Sequence, residues 1–174
     1  VSGNKAHFGG GVLNGFSSDL SYYAFPWDSV FSNNYDKGES VFNFYNGNIA
    51  NNTAQSIATS IGGGVLNISN FNAKGGRIAM NAVRENGWSW YYKISPEVYG
   101  GGLASVGYYH YSDDAEEAGF VLAQTIIDGS TIVGNSSYSD AKSMQYGFSV
   151  NSGVDMGGAG VYAASSVIAM RSGY

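Results

Sequence analysis

The carboxylates Asp113, Asp114, Glu116 and Glu117, with Asp128 and Asp140 further on, come nearest in this chain to hydrolytic or metal chemistry. Cleaving a glycosidic bond takes two carboxyl groups at a fixed separation, one acting as acid and the other as base or nucleophile. Neighbours such as Asp113 and Asp114 do not share one face of a strand, so the run reads as a solvated acidic loop. It is the one candidate calcium site, through Asp113, Asp114, Glu116 and Glu117, although the ordered Asp-x-Asp-x-Asp-Gly spacing is missing. No other cofactor is expected. A lyase would also need an arginine at the reacting centre, and Arg77, Arg84 and Arg171 read as surface residues. His7 and His110 stand alone, and the chain contains no cysteine, so thiolate sites, disulfides and cysteine nucleophiles are excluded. The glycine runs lack the GxxxxGK[ST] order of a phosphate loop. No catalytic residue is assigned.

Aromatic clusters are the more informative feature. Tyr22, Tyr23, Phe25 and Trp27 form one, Trp88, Trp90, Tyr91 and Tyr92 a second, and Tyr108 and Tyr109 belong to a third that runs on to Tyr111. Tyr and Trp offer large amphipathic surfaces suited to sugars or protein partners. The competing reading is that they cover a flank of the scaffold or seal a contact between subunits.

The elements that must position these clusters are set by an internal repeat. Val1-Ser-Gly-Asn4 with Gly9-Gly-Gly-Val-Leu-Asn14 matches Val30-Phe-Ser-Asn33 with Gly38-Glu-Ser-Val-Phe-Asn43 at the same spacing. Ile49-Ala-Asn-Asn52 is followed by Gly62-Gly-Gly-Val-Leu-Asn67, which repeats the first GGGVLN letter for letter. Looser copies pair Ile78-Ala-Met-Asn81 with Gly100–Ser105, and Ile132-Val-Gly-Asn135 with Gly147–Ser152, five copies in all. Gly119–Gln124 reads as a surviving half unit and Gly157–Tyr162 as a final partial turn. A β-branched residue three positions before Asn fits a short strand ending in a corner, because Asn tolerates left-handed backbone. A unit with two such strands cannot bury its own apolar face, so copies must stack, with Val12, Val41 and Val65 aligned inside and asparagines piled at the corners. The expectation is a single all-β domain over residues 1–174: a right-handed parallel β-helix of about five to seven coils with inserted loops. The alternative is an antiparallel β-sandwich or barrel. Helical periodicity is poor, with Asp113–Gln124 the one short candidate.

The pairing of an F-x-x-N element with a following G-G-[AG]-[ILV] element resembles the repeats of polymorphic membrane proteins and related autotransporter-type adhesins. Phe31-Ser-Asn-Asn34 carries the first element, and Ile49-Ala-Asn-Asn-Thr-Ala54 with Gly62-Gly-Gly-Val65 carries both. The resemblance spans roughly the first 105 residues and departs from the family in having GGG or GES where GGA is usual. It implies a pectin-lyase-like right-handed β-helix exposed on a cell or in a secreted assembly, and it brings no catalytic residue with it.

Composition agrees with exposure outside the cell. Only 12% of the 174 residues are charged, so Gly, Asn, Ser and Tyr must make the surface polar. The net charge of −5, with Lys and Arg scattered singly, leaves no basic stripe for nucleic acid. No apolar run is long enough for a transmembrane segment. The N-x-[ST] triplets at Asn51, Asn67 and Asn135 are glycosylation acceptors unless their side chains turn into ladders. Thr53, Thr59, Thr125 and Thr131 do not recur at the repeat spacing, which weakens an ice-binding reading. The expected function is a non-enzymatic extracellular or cell-surface adhesin, or a self-assembling structural module, presenting aromatic loops. The chain then stands as a module, a fragment or a polymerising subunit. Its partners would be further copies of itself, in a homo-oligomer or end-to-end polymer, or a host or matrix surface of protein or glycan. The alternative is a carbohydrate-binding or polysaccharide-cleaving β-helix protein using Trp88, Trp90 and Tyr91.

Overall fold

The computed structural model describes residues 1–15, 40–56, 59–85, 88–89, 97–110, 119–139, 142–145, 148–150 and 155–172. These are all-β, with no helix among them. Five parallel sheets make the body. Sheet I joins Asn48–Ala50, Arg77–Ala79 and Thr131–Val133, with Ser2 bridged to Ala50. Sheet II joins Lys5–Ala6, Thr53–Ser56, Ala82–Glu85 and Ser136–Ser139. Sheet III joins Thr59–Ile61, Glu97–Tyr99 and Asp155–Gly157, with Phe8 bridged to Ile61. Sheet IV joins Val12–Asn14, Val65–Asn67, Leu103–Val106 and Val161–Ala164. Sheet V joins Val41–Tyr45, Asn70–Lys74, Ala123–Asp128 and Ser166–Arg171. The chain visits sheets I to V in that order four times, and each pass pairs with the one before it.

Pass two has no insertion and gives the length of the unit. Asn48 pairs with Arg77, so one pass takes 77 − 48 = 29 residues. Asn4, Asn52, Asn81 and Asn135, one from each pass, form a ladder. The backbone N–H and Nδ2 of Asn4 both donate to Asn52 Oδ1, at 3.1 and 3.0 Å. Asn52 does the same to Asn81 Oδ1 (3.0 and 3.0 Å), and Asn81 to Asn135 Oδ1 (2.9 and 3.1 Å). The Asn52, Asn81 and Asn135 amides also donate to main-chain carbonyls, as in Asn81 Nδ2 to Ile49 O at 2.9 Å. Asn52 and Asn81 are fully buried, and buried amides persist only when bonded in this way. A second polar column stands between sheets IV and V. Asn14 Nδ2 donates to Asn67 Oδ1 at 2.8 Å, Asn67 Nδ2 to Thr125 Oγ1 at 3.0 Å, and Thr125 Oγ1 to Ser105 Oγ at 2.9 Å.

Left-handed residues also stack. The corner between sheets I and II is turned by Gly3, Asn51, Met80 and Gly134, at φ of 69°, 57°, 54° and 63°. Asn46, Gly75, Gly129 and Ser172 turn the corner from sheet V to sheet I, and Gly9, Gly62, Gly100 and Gly158 the corner from III to IV. The first glycine of each GGG run is therefore a corner residue, free of the Cβ penalty at positive φ. The second is required by close approach. A Cβ on Gly63 would lie 2.4 Å from both Gly101 O and Ala82 O of the next pass.

The apolar interior follows the same columns. Ile49 and Ile78 stack above one another, beside Val12, Val65 and Leu103. Phe42 lies over Phe71 with ring centroids 5.8 Å apart and planes 9° apart. Val65 and Leu66 point to opposite faces of their strand and both are fully buried. Leu66 belongs to a second cluster with Ile61, Ile68, Tyr99, Ala104 and Val106, so sheet IV is covered on both sides.

The register corrects several sequence expectations. Val41 does not align with Val12 and Val65. It pairs with Asn70 in sheet V and is exposed, because the Val-Phe-Asn letters at 41–43 resemble a sheet IV strand without occupying its place. The matches drawn for Gly38–Asn43 and Gly147–Ser152 fail in the same way: the sheet IV partner of Leu103 is Val161, so Gly158-Ala-Gly-Val161 leads into the sheet IV strand of pass four. Among the described residues there are four passes, against the expected five to seven coils. Val121 and Ala123–Gln124 are strand, not helix, while Asp113 to Ala118 lie outside the described residues. The antiparallel sandwich or barrel does not describe the body, since antiparallel pairing among the described residues is confined to two small hairpins.

Candidate functional site

Where the chain departs from the 29-residue unit is not random. Pass one departs between Gly15 and Ser40, from sheet IV to V. Pass three departs between Glu85 and Glu97, from sheet II to III, and again between Gly107 and Leu122, from IV to V. Pass four departs between Ser139 and Asp155, from II to III. All four insertions thus fall at two of the five corners. At the II–III corner the insertions of passes three and four pair with each other, Trp88 opposite Lys142 and Ser89 opposite Ser143 in parallel, with Ser143–Gln145 turning back antiparallel on Phe148–Val150. At the IV–V corner the pass-three insertion opens as a hairpin, with Tyr108 opposite Val121 and Tyr109 opposite Phe120.

All three aromatic clusters fall in these insertions. Trp88 lies on the short strand at the II–III corner, and Tyr108 and Tyr109 on the hairpin at the IV–V corner. Tyr22, Tyr23, Phe25, Trp27, Trp90, Tyr91 and Tyr92 lie outside the described residues, as do Asp113, Asp114, Glu116 and Glu117 of the calcium candidate. Among the described residues no three His, Cys, Asp or Glu side chains form a metal-binding group. Arg77, Arg84 and Arg171 are exposed, as expected of surface residues. Of the three acceptor asparagines, Asn67 is fully buried and bonded, Asn135 accepts both bonds from Asn81, and Asn51 is exposed on its left-handed corner.

One surface feature escaped the sequence. At the insert-free V–I corner a shallow open depression of about 610 Å³ is lined by Tyr45, Asn46, Lys74, Gly75, Asp128 and Gly129. Tyr45, Lys74, Asp128 and Arg171 come into one row across four strands. They lie far apart in sequence and differ in type, so only the register brings them together. Ser172 Oγ donates to Asp128 Oδ1 at 3.0 Å and fixes that carboxylate. No helix among the described residues is long and apolar enough to cross a membrane. No family model, curated protein or solved structure matches the chain.

Proposed function

We propose that the chain is a right-handed parallel β-helix of four coils and works as a non-enzymatic binding module, an extracellular or cell-surface adhesin. The observation that carries this reading is the confinement of the insertions to the II–III and IV–V corners, the three aromatic clusters singled out above falling within those insertions in the sequence. A scaffold whose ladders fix each pass leaves two places where sequence varies freely, and binding residues concentrate on such loops. A right-handed course is the rule for crossovers between parallel strands of one sheet. The partner is a protein or glycan surface of a host or matrix, met through Trp88 and its neighbours at one corner and Tyr108 and Tyr109 at the other.

The test removes the two insertions of the II–III corner and keeps the scaffold. A chain with residues 86–96 and 140–154 each replaced by a short Gly-Ser link should keep its β circular dichroism and cooperative unfolding but lose adherence to cells or matrix-coated surfaces. Undiminished adherence would refute the assignment to that corner. The second reading, a sugar-binding or polysaccharide-cleaving protein, rests on the Trp88, Trp90 and Tyr91 segment. A polysaccharide panel separates the two. Retention abolished by Trp88→Ala marks sugar binding, and new double bonds or reducing ends mark cleavage.

A further inference from the structure

The outer edges of the first and last described passes are complementary. Asn4 offers Oδ1 at one edge, while Asn135 has its backbone N–H at the other, and every interior step joins such a pair. Val1, Leu13 and Val41 are exposed at the first edge and Val133, Val167 and Met170 at the last. Open parallel edges with apolar side chains template each other unless something prevents it. Pass one of a second copy, laid on pass four, would continue every ladder and form an end-to-end polymer.

The middle residue of the glycine run decides whether it can. In the first three passes it is Gly10, Gly63 and Gly101. A Cβ at Gly10 would lie 2.5 Å from Gly63 O and 2.7 Å from Thr53 O. At Gly63 it would lie 2.4 Å from both Gly101 O and Ala82 O, and at Gly101 it would lie 2.5 Å from Ala159 O and 2.4 Å from Ser136 O. The obstruction always comes from the following pass. In pass four the same position is Ala159, which carries the methyl group. Gly102 N donates to Ala159 O at 2.9 Å, as Gly64 N does to Gly101 O at 3.1 Å, so Ala159 holds the same place in the ladder. Its neighbour Gly160 meets nothing nearer than Ile132 Cγ2 at 4.0 Å, whereas a Cβ on the equivalent Gly102 would meet Gly160 O at 2.6 Å.

We infer that Ala159 is a steric stop that keeps pass four from pairing in register with pass one of a second copy. By the pattern of the three interior steps, its methyl group would fall against the carbonyls of that copy's Gly10 and Lys5, well inside van der Waals contact. Only backbone lies there, and it cannot move aside without breaking the adjoining ladder bonds. One methyl group thus bars in-register stacking of a second copy on pass four. The stop stands on backbone geometry alone, independent of what the corners bind.

The test lays a known pass on the edge. Ser172 aligns with Asn46 on the stacked corner, and a copy that starts at residue 49 is joined to Tyr174 with the same two-residue spacing, since 172 + 2 = 174 and 46 + 2 = 48. The full chain is extended after Tyr174 by a copy of residues 49–76, with Ala159 and with Ala159→Gly, and amide exchange of the added pass is followed by mass spectrometry. Protection should be about 10-fold or more greater in the Ala159→Gly chain, the size expected when an overpacked contact is relieved. Equal protection in the two chains, whether high or low, overturns the stop. Rods formed end to end by the unextended wild-type chain, seen by electron microscopy across a concentration series, overturn it as well. Loss of adherence on shortening the corners bears on the adhesion reading alone.

Discussion

Replacing Asn81 with Ala tests the ladder where it is most enclosed. The Asn81 side chain accepts from Asn52 N and Asn52 Nδ2 at 3.0 Å each, and donates to Ile49 O at 2.9 Å and to Asn135 Oδ1 at 3.1 Å. The substitution leaves the Asn52 N–H and one Asn52 amide proton without partners in a fully buried setting, and takes from the Ile49 carbonyl the second of its two donors, the strand ladder keeping the first. At about 1–3 kcal/mol for each of the two buried donors left unsatisfied, and allowing for partial relaxation, the loss should be about 2–4 kcal/mol. Asn4→Ala removes one side-chain bond at an exposed edge and should cost about 0.5–1.5 kcal/mol. Asn81→Asp keeps the acceptor but turns a second oxygen toward Ile49 O and Asn135 Oδ1, so it should be at least as damaging as Ala at neutral pH. Equilibrium urea unfolding by circular dichroism reads all three. A cost for Asn81→Ala no greater than that for Asn4→Ala would refute the claim that these amides carry the stack.

Gly63→Ala should destabilise by several kcal/mol, because its Cβ meets backbone carbonyls at 2.4 Å, while Gly160→Ala should change stability by less than about 0.5 kcal/mol; equal costs in urea unfolding would contradict the stacking direction. Met80, at φ 54° in a column that has Gly3 and Gly134 at the same corner, carries a left-handed cost of about 1–2 kcal/mol, so Met80→Gly should raise stability by about 0.5–1 kcal/mol after the entropy of glycine is counted. A lower midpoint for Met80→Gly would show the corner to be held by the methionine side chain instead. Secreted from a eukaryotic host, the folded protein should carry glycan at Asn51 and none at Asn67, whose amide is buried and bonded to Thr125; peptide mapping that finds Asn67 occupied would contradict its place in the column.

The ladder was legible because its chemistry forces a letter. Only an amide of this length both accepts from one pass and donates to the next, so an Asn recurs at positions 4, 52, 81 and 135, each three residues after Val or Ile. The glycine run was legible for a similar reason, since corner geometry and carbonyl contact both exclude a side chain. Sheet V has no such constraint. Its inward column changes from Phe42 to Phe71, Thr125 and Ile168, so the Val-Phe-Asn at 41–43 reads in the sequence as a sheet IV strand. The insertions hid the count of passes, because two of them lie between strands of one pass and shift its second half away from its first. The row of Tyr45, Lys74 and Asp128 was not legible, since nothing but the register relates those residues. Ala159 was visible as a letter, but its meaning needed the distance from Gly101 to the carbonyls above it.

The most direct measurement is a crystal structure of the wild-type chain. The account predicts Asn4, Asn52, Asn81 and Asn135 in a single column, successive residues about 4.8 Å apart as in neighbouring strands, with Val12, Val65, Leu103 and Val161 in a second. Antiparallel pairing within residues 48–85, or Val41 seated between Val12 and Val65, would contradict it.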